Sequence, residues 1–441
     1  MKISFRSIIC WKGDLDRFCL SIFSLYICSG NLLRFISFGA FKDNLLITEF
    51  LLYSFCFFRL IVNSRLSLRH LKFLGLSVII FSSSVYGAIL NKFDFGSTLY
   101  SVRLILMILA GMQIGEIFFK KFGYAIENFY RYISSRYFLL TILGFGIYFL
   151  FRQSTEFWGL LARMGIIFGG DPHIGRYVSI YFDPNYFSAI GSIPFIAMYR
   201  LHCMYPSFLS IIRLGILSLS IVLSWSRSGV ATFFLMIVYF FIEWVIKNRL
   251  KILKNKWIFN LFGAFLCSVV IFCIRFEDAI RFFSRLIHTG EDGSAFARLD
   301  SFKLGVAVLV DHPLLGVGYN YLRLFVKGIL GGSSVDSSLL ATFVNFGIIL
   351  SSLFILMFAI WSVKFIFSCN SIKEKNTELY LASKACYVYL IIVILFTSQF
   401  NNVLYYQFWL VPVIAIFTYF SLCIKASKPL LERASREKFA R

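Results

Sequence analysis

The sequence predicts an all-α, polytopic integral membrane protein with about twelve transmembrane helices. Three observations carry that prediction. Hydrophobic residues fill 59% of the 441 positions and only 15% are charged, with a mean hydropathy of +0.78, far more apolar than a soluble domain of this size. The apolar residues fall in separate runs of about 20, the length an α-helix needs to cross hydrocarbon. Those runs are continuous rather than alternating in ten-residue segments, which argues against a transmembrane barrel.

In chain order the expected spans are 18–39, 45–62, 71–90, 98–119, 136–151, 185–203, 207–224, 229–246, 257–274, 338–360, 382–398 and 403–424. The first holds Asn31 and Arg34, and the fifth and eleventh are short. Residues 1–17 are polar and basic with no small-residue cleavage site after the first run, so no cleavable signal peptide is expected. With the N-terminus inside, the inner segments hold 28 Lys and Arg and the outer ones 13, with Arg34, Arg59 and Arg103 inside spans. That asymmetry fits the positive-inside rule with both termini inside. It also accounts for a net charge of +22 without nucleic acid. The basic tail from Lys425 is expected on the anionic inner leaflet. The ten cysteines lie almost entirely in apolar runs or inner loops, without CxxC or a metal-like Cys/His spacing, so neither a disulfide framework nor structural zinc is expected.

Only two loops are long, 152–184 and 275–337, and both fall outside: in the periplasm of a two-membrane cell, or otherwise at the cell exterior. Ordered long loops are where function concentrates. Segment 275–337 balances seven basic against seven acidic residues. Bulk attraction is thereby removed and specific arginines remain. Arginine outnumbers lysine nine to four outside, whereas lysine leads sixteen to twelve inside; guanidinium forks grip phosphate oxygens in pairs.

The motifs carry two readings each. SWSRSG (Ser224–Gly229) joins two spans, and Arg227 so near hydrocarbon must find an anion, either a substrate phosphate or a lipid headgroup. In GRYVSIYFDPNYFSAIG (Gly175–Gly191), Asp183-Pro184 is a helix start, which capping explains. Arg176 and Asn185 lack that explanation and are candidates to face a polar cavity, while His173 reads as a loop histidine. Phe296–Val310 reads as a short helix, too short to span, with an apolar face at Leu299, Phe302, Val306 and Leu309 and a stop at Pro313. Arg298 shares a side with Gly305 and points either at a bound anion or at an acid such as Asp300. In HPLLGVG, Gly316 and Gly318 permit a tight turn and close backbone approach. His312 is either an acid–base group or a helix C-cap. Asp336 is either the N-cap of the next span or a general base. Glu49 and Arg103 inside spans are costly unless paired, with each other for instance. No P-loop, GxGxxG, HExxH or outer acid pair of DxD type is present.

SWSRSG between two spans, FDPNYFSA opening another, RLDSFK and DHPLLGVGYNY in a large outer loop, and a following span containing Gly347 together resemble the O-antigen polymerase/O-antigen ligase superfamily. The resemblance runs by motif over about 176–347 and by topology over the whole chain. It implies a GT-C-like fold with two long periplasmic loops in a bacterial inner membrane. It implies inverting glycosyl transfer at the periplasmic face from a glycan carried on undecaprenyl pyrophosphate, with no cofactor and no metal. A flippase and a chain-length regulator are the implied partners. Arg227 and Arg298, then Arg176, are the implied stabilisers of leaving-group charge, with Asn185, Gly316, Gly318 and Tyr319 as substrate contacts. Ligases of this superfamily typically carry a histidine, often His-Asn, before the span after the second large loop. Asp336-Ser337 stands there instead, which favours a polymerase and leaves the base open between Asp336, His312 and none. Ligase remains the second reading. A flippase or transporter is the third, disfavoured because the long loops are confined to mid-chain and no internal repeat is apparent.

Overall fold

The computed structural model describes residues 5–35, 46–63, 68–91, 93–164, 166, 173–247, 293–325, 335–374 and 376–439. Among them every regular element is helical. The principal helices are α1 (Phe5–Ser29), α2 (Ile47–Asn63), α3 (Leu68–Asn91), α4 (Phe95–Phe122), α5 (Ile126–Phe151), α6 (Thr155–Arg163), α7 (Pro184–Met204), α8 (Phe208–Leu223), α9 (Arg227–Lys247), α10 (Gly293–Asp311), α11 (Ser338–Asn370), α12 (Thr377–Ile392) and α13 (Gln407–Phe439). Seven described helices are long and apolar enough to cross a membrane: α3, α4, α5, α9, α11, α13, and α12 with the turns that extend it to Phe400. The predicted span 257–274 lies outside the described residues. So do 248–292 and 326–334, much of the second long loop.

Several boundaries differ from the sequence reading: the first helix starts at Phe5, and the helices from Ser338 and Gln407 run on to Asn370 and Phe439; two more differ for a visible reason. The first helix ends at Ser29 rather than near 39, because Asn31 is committed to a distant turn of the same chain. Its N–H donates to the Ile180 carbonyl (3.0 Å) and its side chain to the Tyr181 carbonyl (2.7 Å). The fifth begins at Ile126 rather than 136. Its first turns look polar in sequence, but Phe129, Tyr130, Ile133 and Tyr137 form one buried stripe at helical spacing.

The bundle is organised around α4 and α13, which lie against one another along much of their length. The approach is close at two glycines: a Cβ on Gly111 would stand 2.7 Å from the Ile414 side chain, and one on Gly115 2.5 Å from the Ala415 carbonyl. Large apolar side chains such as Ile89, Leu150 and Phe208 are at least 75% exposed on the outer surface. In water such a surface would drive aggregation; against lipid it costs nothing. Charges inside the bundle are paired. Arg103 holds both Glu49 oxygens at 2.8 and 2.9 Å, and that carboxylate also accepts from the Leu46 N–H and the Tyr53 hydroxyl, each at 3.0 Å. The pairing left open from sequence is therefore made. Arg59 bridges Asp16 (2.6 Å) and Glu116 (3.2 Å), and Arg200 grips Glu243.

One helix is broken. Within α11, Gly347 has φ +67° and ψ 179°, a conformation closed to residues with a side chain. The segment 312–318 enters the gap. Val317 and Gly318 donate to the carbonyls of Val344 and Asn345 (2.9 and 3.0 Å), and Ile348 and Ile349 donate to those of Pro313 and Leu314 (2.8 and 3.2 Å). Two carbonyls and two N–H groups flanking the break thus find partners in the loop, as buried backbone requires.

Candidate anion site between two helices and a broken third

The site is built where α9, α10, the start of α11 and the end of the α12 extension meet. The turn before α9 is fixed by α8 and α7. Arg176 donates from Nε to the Ser224 carbonyl (3.0 Å) and from its terminal nitrogen to the Trp225 carbonyl (3.2 Å). Both acceptors are orphan carbonyls of a helix end, which a cation satisfies well. Ser226 Oγ donates to Asn185 Oδ1 at 2.9 Å and accepts from the Gly229 N–H. Arg227 then opens α9, where the positive end of the helix dipole reinforces its charge.

From the other side, α10 presents Arg298. The sequence reading placed the apolar face of this helix at Leu299, Phe302, Val306 and Leu309. The structure buries Ser301, Gly305 and Val308 instead, against Val335 and Leu340. Leu299 and Phe302 remain exposed because they line a cavity. Arg298 has no hydrogen bond or ion pair among the described residues; Asp300, its alternative partner, sits 3.8 Å from Lys303.

That cavity measures about 480 Å³, and Arg227, Arg298 and Asp336 all line it, with Ser228, Gln399 and Phe400. The capping role considered for Asp336 belongs to Ser337, whose hydroxyl accepts from the Leu340 N–H at 3.2 Å. Asp336 is instead anchored through its backbone, donating its N–H to Ser301 Oγ (3.2 Å), which leaves the carboxylate at the cavity. Partial burial pushes its pKa above the ordinary Asp value; Arg298 pulls the other way, and Asp183 adds to the rise. Asp183 caps α7, accepting from the N–H groups of Asn185 (2.7 Å) and Tyr186 (3.2 Å).

The remaining candidates sit elsewhere. His312 follows the last residue of α10, about 20 Å along the helix axis from Arg298. It lines neither this cavity nor the next. Gly316 and Gly318 (φ +68° and +90°) serve backbone packing: a Cβ on Gly316 would stand 2.4 Å from the Val344 carbonyl, and one on Gly318 2.4 Å from the Gly87 Cα. Arg176 and Asn185 shape the Arg227 turn and line neither of these two cavities. Tyr319 lines a second, smaller cavity of about 140 Å³ with Arg103, Tyr186, Asn320, Asn345, Asn402, Tyr405 and Tyr406. Val335 lines both cavities, so the two are neighbours.

The sequence reading missed the wall after α12. Asn401 donates to Ser228 Oγ (2.6 Å), and its carbonyl accepts from Ser338 Oγ (2.8 Å), tying α9 to α11. Just before it, Val393–Thr397 is a π turn that interrupts the α-helical register ahead of Gln399 and Phe400. No residue-type signal marks that turn.

Residues 212–355 match the profile of the family described as O-antigen ligase, which supports membership in the O-antigen polymerase/ligase superfamily. The match spans Arg227, Arg298, Asp336 and the Gly347 break. No curated protein matches the chain.

Proposed function

We propose that this protein is an O-antigen polymerase. It joins oligosaccharide repeat units carried on undecaprenyl pyrophosphate, by inverting glycosyl transfer at the periplasmic face of the inner membrane. The observation that carries the reading is the meeting of Arg227, Arg298 and Asp336 on one cavity. An acceptor sugar hydroxyl attacks the anomeric carbon of the donor. The bond from that carbon to the pyrophosphate oxygen breaks, and the electron pair leaves on the pyrophosphate. Two guanidinium groups fixed beside it stabilise the charge that develops there, and stabilise it more in the transition state than in the ground state. Asp336 takes the hydroxyl proton. Its raised pKa makes it a stronger base than an ordinary aspartate, while Arg298 keeps the carboxylate form accessible.

Asp336 in place of a ligase-type histidine favours polymerisation over transfer to lipid A–core. The ligase reading keeps the support of the family description. Deleting the gene and running the lipopolysaccharide on a gel separates them. Core bearing a single repeat unit is the polymerase outcome, and bare core is the ligase or flippase outcome. A surviving ladder, with no redundant gene, would sink the proposal.

A further inference from the structure

We infer that the smaller cavity is a binding subsite for one neutral sugar ring, filled while the pyrophosphate occupies the arginine cavity. The inference rests on the transferase reading for the identity of the ligand, and on the cavity itself for its chemistry.

Three features point to an uncharged polyhydroxyl ring. The first is charge. The cationic side chain in the wall, Arg103, is already held by both oxygens of Glu49. The ion pair cancels, so this cavity does not compete for phosphate, whereas Arg227 and Arg298 next door do. The second is its polar groups. Asn320 Nδ2, a donor, and Asn402 Oδ1, an acceptor, are buried in the cavity wall with no hydrogen-bond partner. Leaving such groups unpaired is costly. A sugar hydroxyl both donates and accepts, so adjacent hydroxyls of one ring satisfy the pair after a small rotation of each amide. The third is shape. Four tyrosines line it, Tyr186, Tyr319, Tyr405 and Tyr406, with Tyr186 and Tyr406 held in a parallel stack at 4.0 Å and Tyr405 5.7 Å from Tyr319, so the wall is rich in the aromatic surface against which the C–H face of a pyranose packs. The volume, about 140 Å³, is well below the roughly 300–1,000 Å³ of pockets for drug-sized ligands, and suits one ring rather than a chain.

The floor is rigid for a reason already described. Asn320 (φ +63°) takes its position from a backbone bond to Asn345 Oδ1 (3.2 Å), two residues before the Gly347 break. The segment 312–318, paired into that break, leads directly into the wall of the sugar cavity.

The test is equilibrium binding to the full-length protein in lipid nanodiscs, with two probes: lipid-linked repeat units extracted from the deletion strain, and bare undecaprenyl pyrophosphate. The unaltered protein should bind the sugar-bearing probe at least tenfold more tightly. Asn320→Gly, which keeps the positive φ, and Asn402→Ala should each lose about tenfold in that margin, the equivalent of a hydrogen bond, while bare lipid pyrophosphate binds as before. No margin in the unaltered protein, an unchanged margin in both variants, or an equal loss for both probes would overturn the subsite. Turnover is scored separately, so a protein that binds with this margin but transfers nothing refutes the transferase reading and leaves the subsite standing. Adding the delipidated repeat unit distinguishes the source of the ring. Binding on top of saturating lipid-linked units marks the acceptor's sugar, and exclusion marks the donor's; both agree with the proposal.

Discussion

Replacing Gly347 with alanine puts the broken helix to the sharpest test. An alanine Cβ built on the observed backbone lies 2.2 Å from the Leu314 carbonyl oxygen and 2.5 Å from the Gly316 nitrogen. Both are backbone atoms that cannot swing aside. Holding the kink also costs about 1–3 kcal/mol for a residue with a side chain at that φ and ψ. The alternative is for α11 to straighten. It then regains the two bonds from Ile348 and Ile349 to Val344 and Asn345, but gives up the four cross-bonds to segment 313–318. The net loss is two hydrogen bonds, about 2 kcal/mol, plus the burial of Val317 and Tyr319. Straightening avoids the clash, so the expected cost is about 2–4 kcal/mol, and it falls on the loop rather than on the helix. The assay is thermal unfolding of the purified protein together with hydrogen exchange. The unfolding temperature should drop by several degrees, and protection should vanish at Val317 and Gly318 while the rest of α11 stays protected. A Gly347→Ala protein with unchanged stability and unchanged protection at those two amides would refute the exchange of partners as the reason for the break.

Three further outcomes follow from the site and the bundle. Arg227→Ala and Arg298→Ala should each lower transfer by about a hundredfold or more, and the corresponding Lys variants should recover part of it, since charge persists while the two-pronged grip is lost; normal lipopolysaccharide ladders from both Ala variants would defeat the assignment. For Asp336, burial raises the folded pKa, so the base is lost as pH falls through a value above that of a free aspartate; the acid limb of the activity profile should lie above the usual aspartate range, and its survival in Asp336→Asn would assign it to another group. Glu49→Gln strands a buried guanidinium and should cost about 3–5 kcal/mol of stability by denaturant unfolding, and the double variant Glu49→Gln, Arg103→Met should recover much of it.

The helices were legible because burial in lipid imposes one rule, a continuous apolar run, that single residues satisfy on their own. The runs misled where a polar residue has a distant partner, as Asn31 has in Ile180 and Tyr181, and where exposed arginines interrupt a buried aromatic stripe, as in the first turns of α5. Arg227, Arg298 and Asp336 each carried two readings in sequence, and what no single stretch shows is that the fold brings all three to one cavity. His312, Arg176 and Asn185 were equally suspicious in sequence. The last two answer to carbonyls and hydroxyls of a turn some 40 residues away, which no local pattern records. Of the smaller cavity's lining, the sequence reading singled out Tyr319 as a substrate contact and Arg103 as half of an ion pair. Its other walls come from α4, α7, α11 and the segment before α13, and tyrosines and asparagines near span ends look like ordinary interfacial residues until the fold gathers them.

The latch formed by Asn401 has a consequence for biosynthesis. A ribosome delivers Arg227, then Arg298 and Asp336, and only later Asn401, Gln399 having just preceded it. Until that last hairpin inserts, Ser228 and Ser338 have no common partner and the cavity lacks its third wall. The cavity is therefore gathered from segments as far apart in the chain as Arg227 and Phe400, and the wall that joins the other two is the last of the three to emerge.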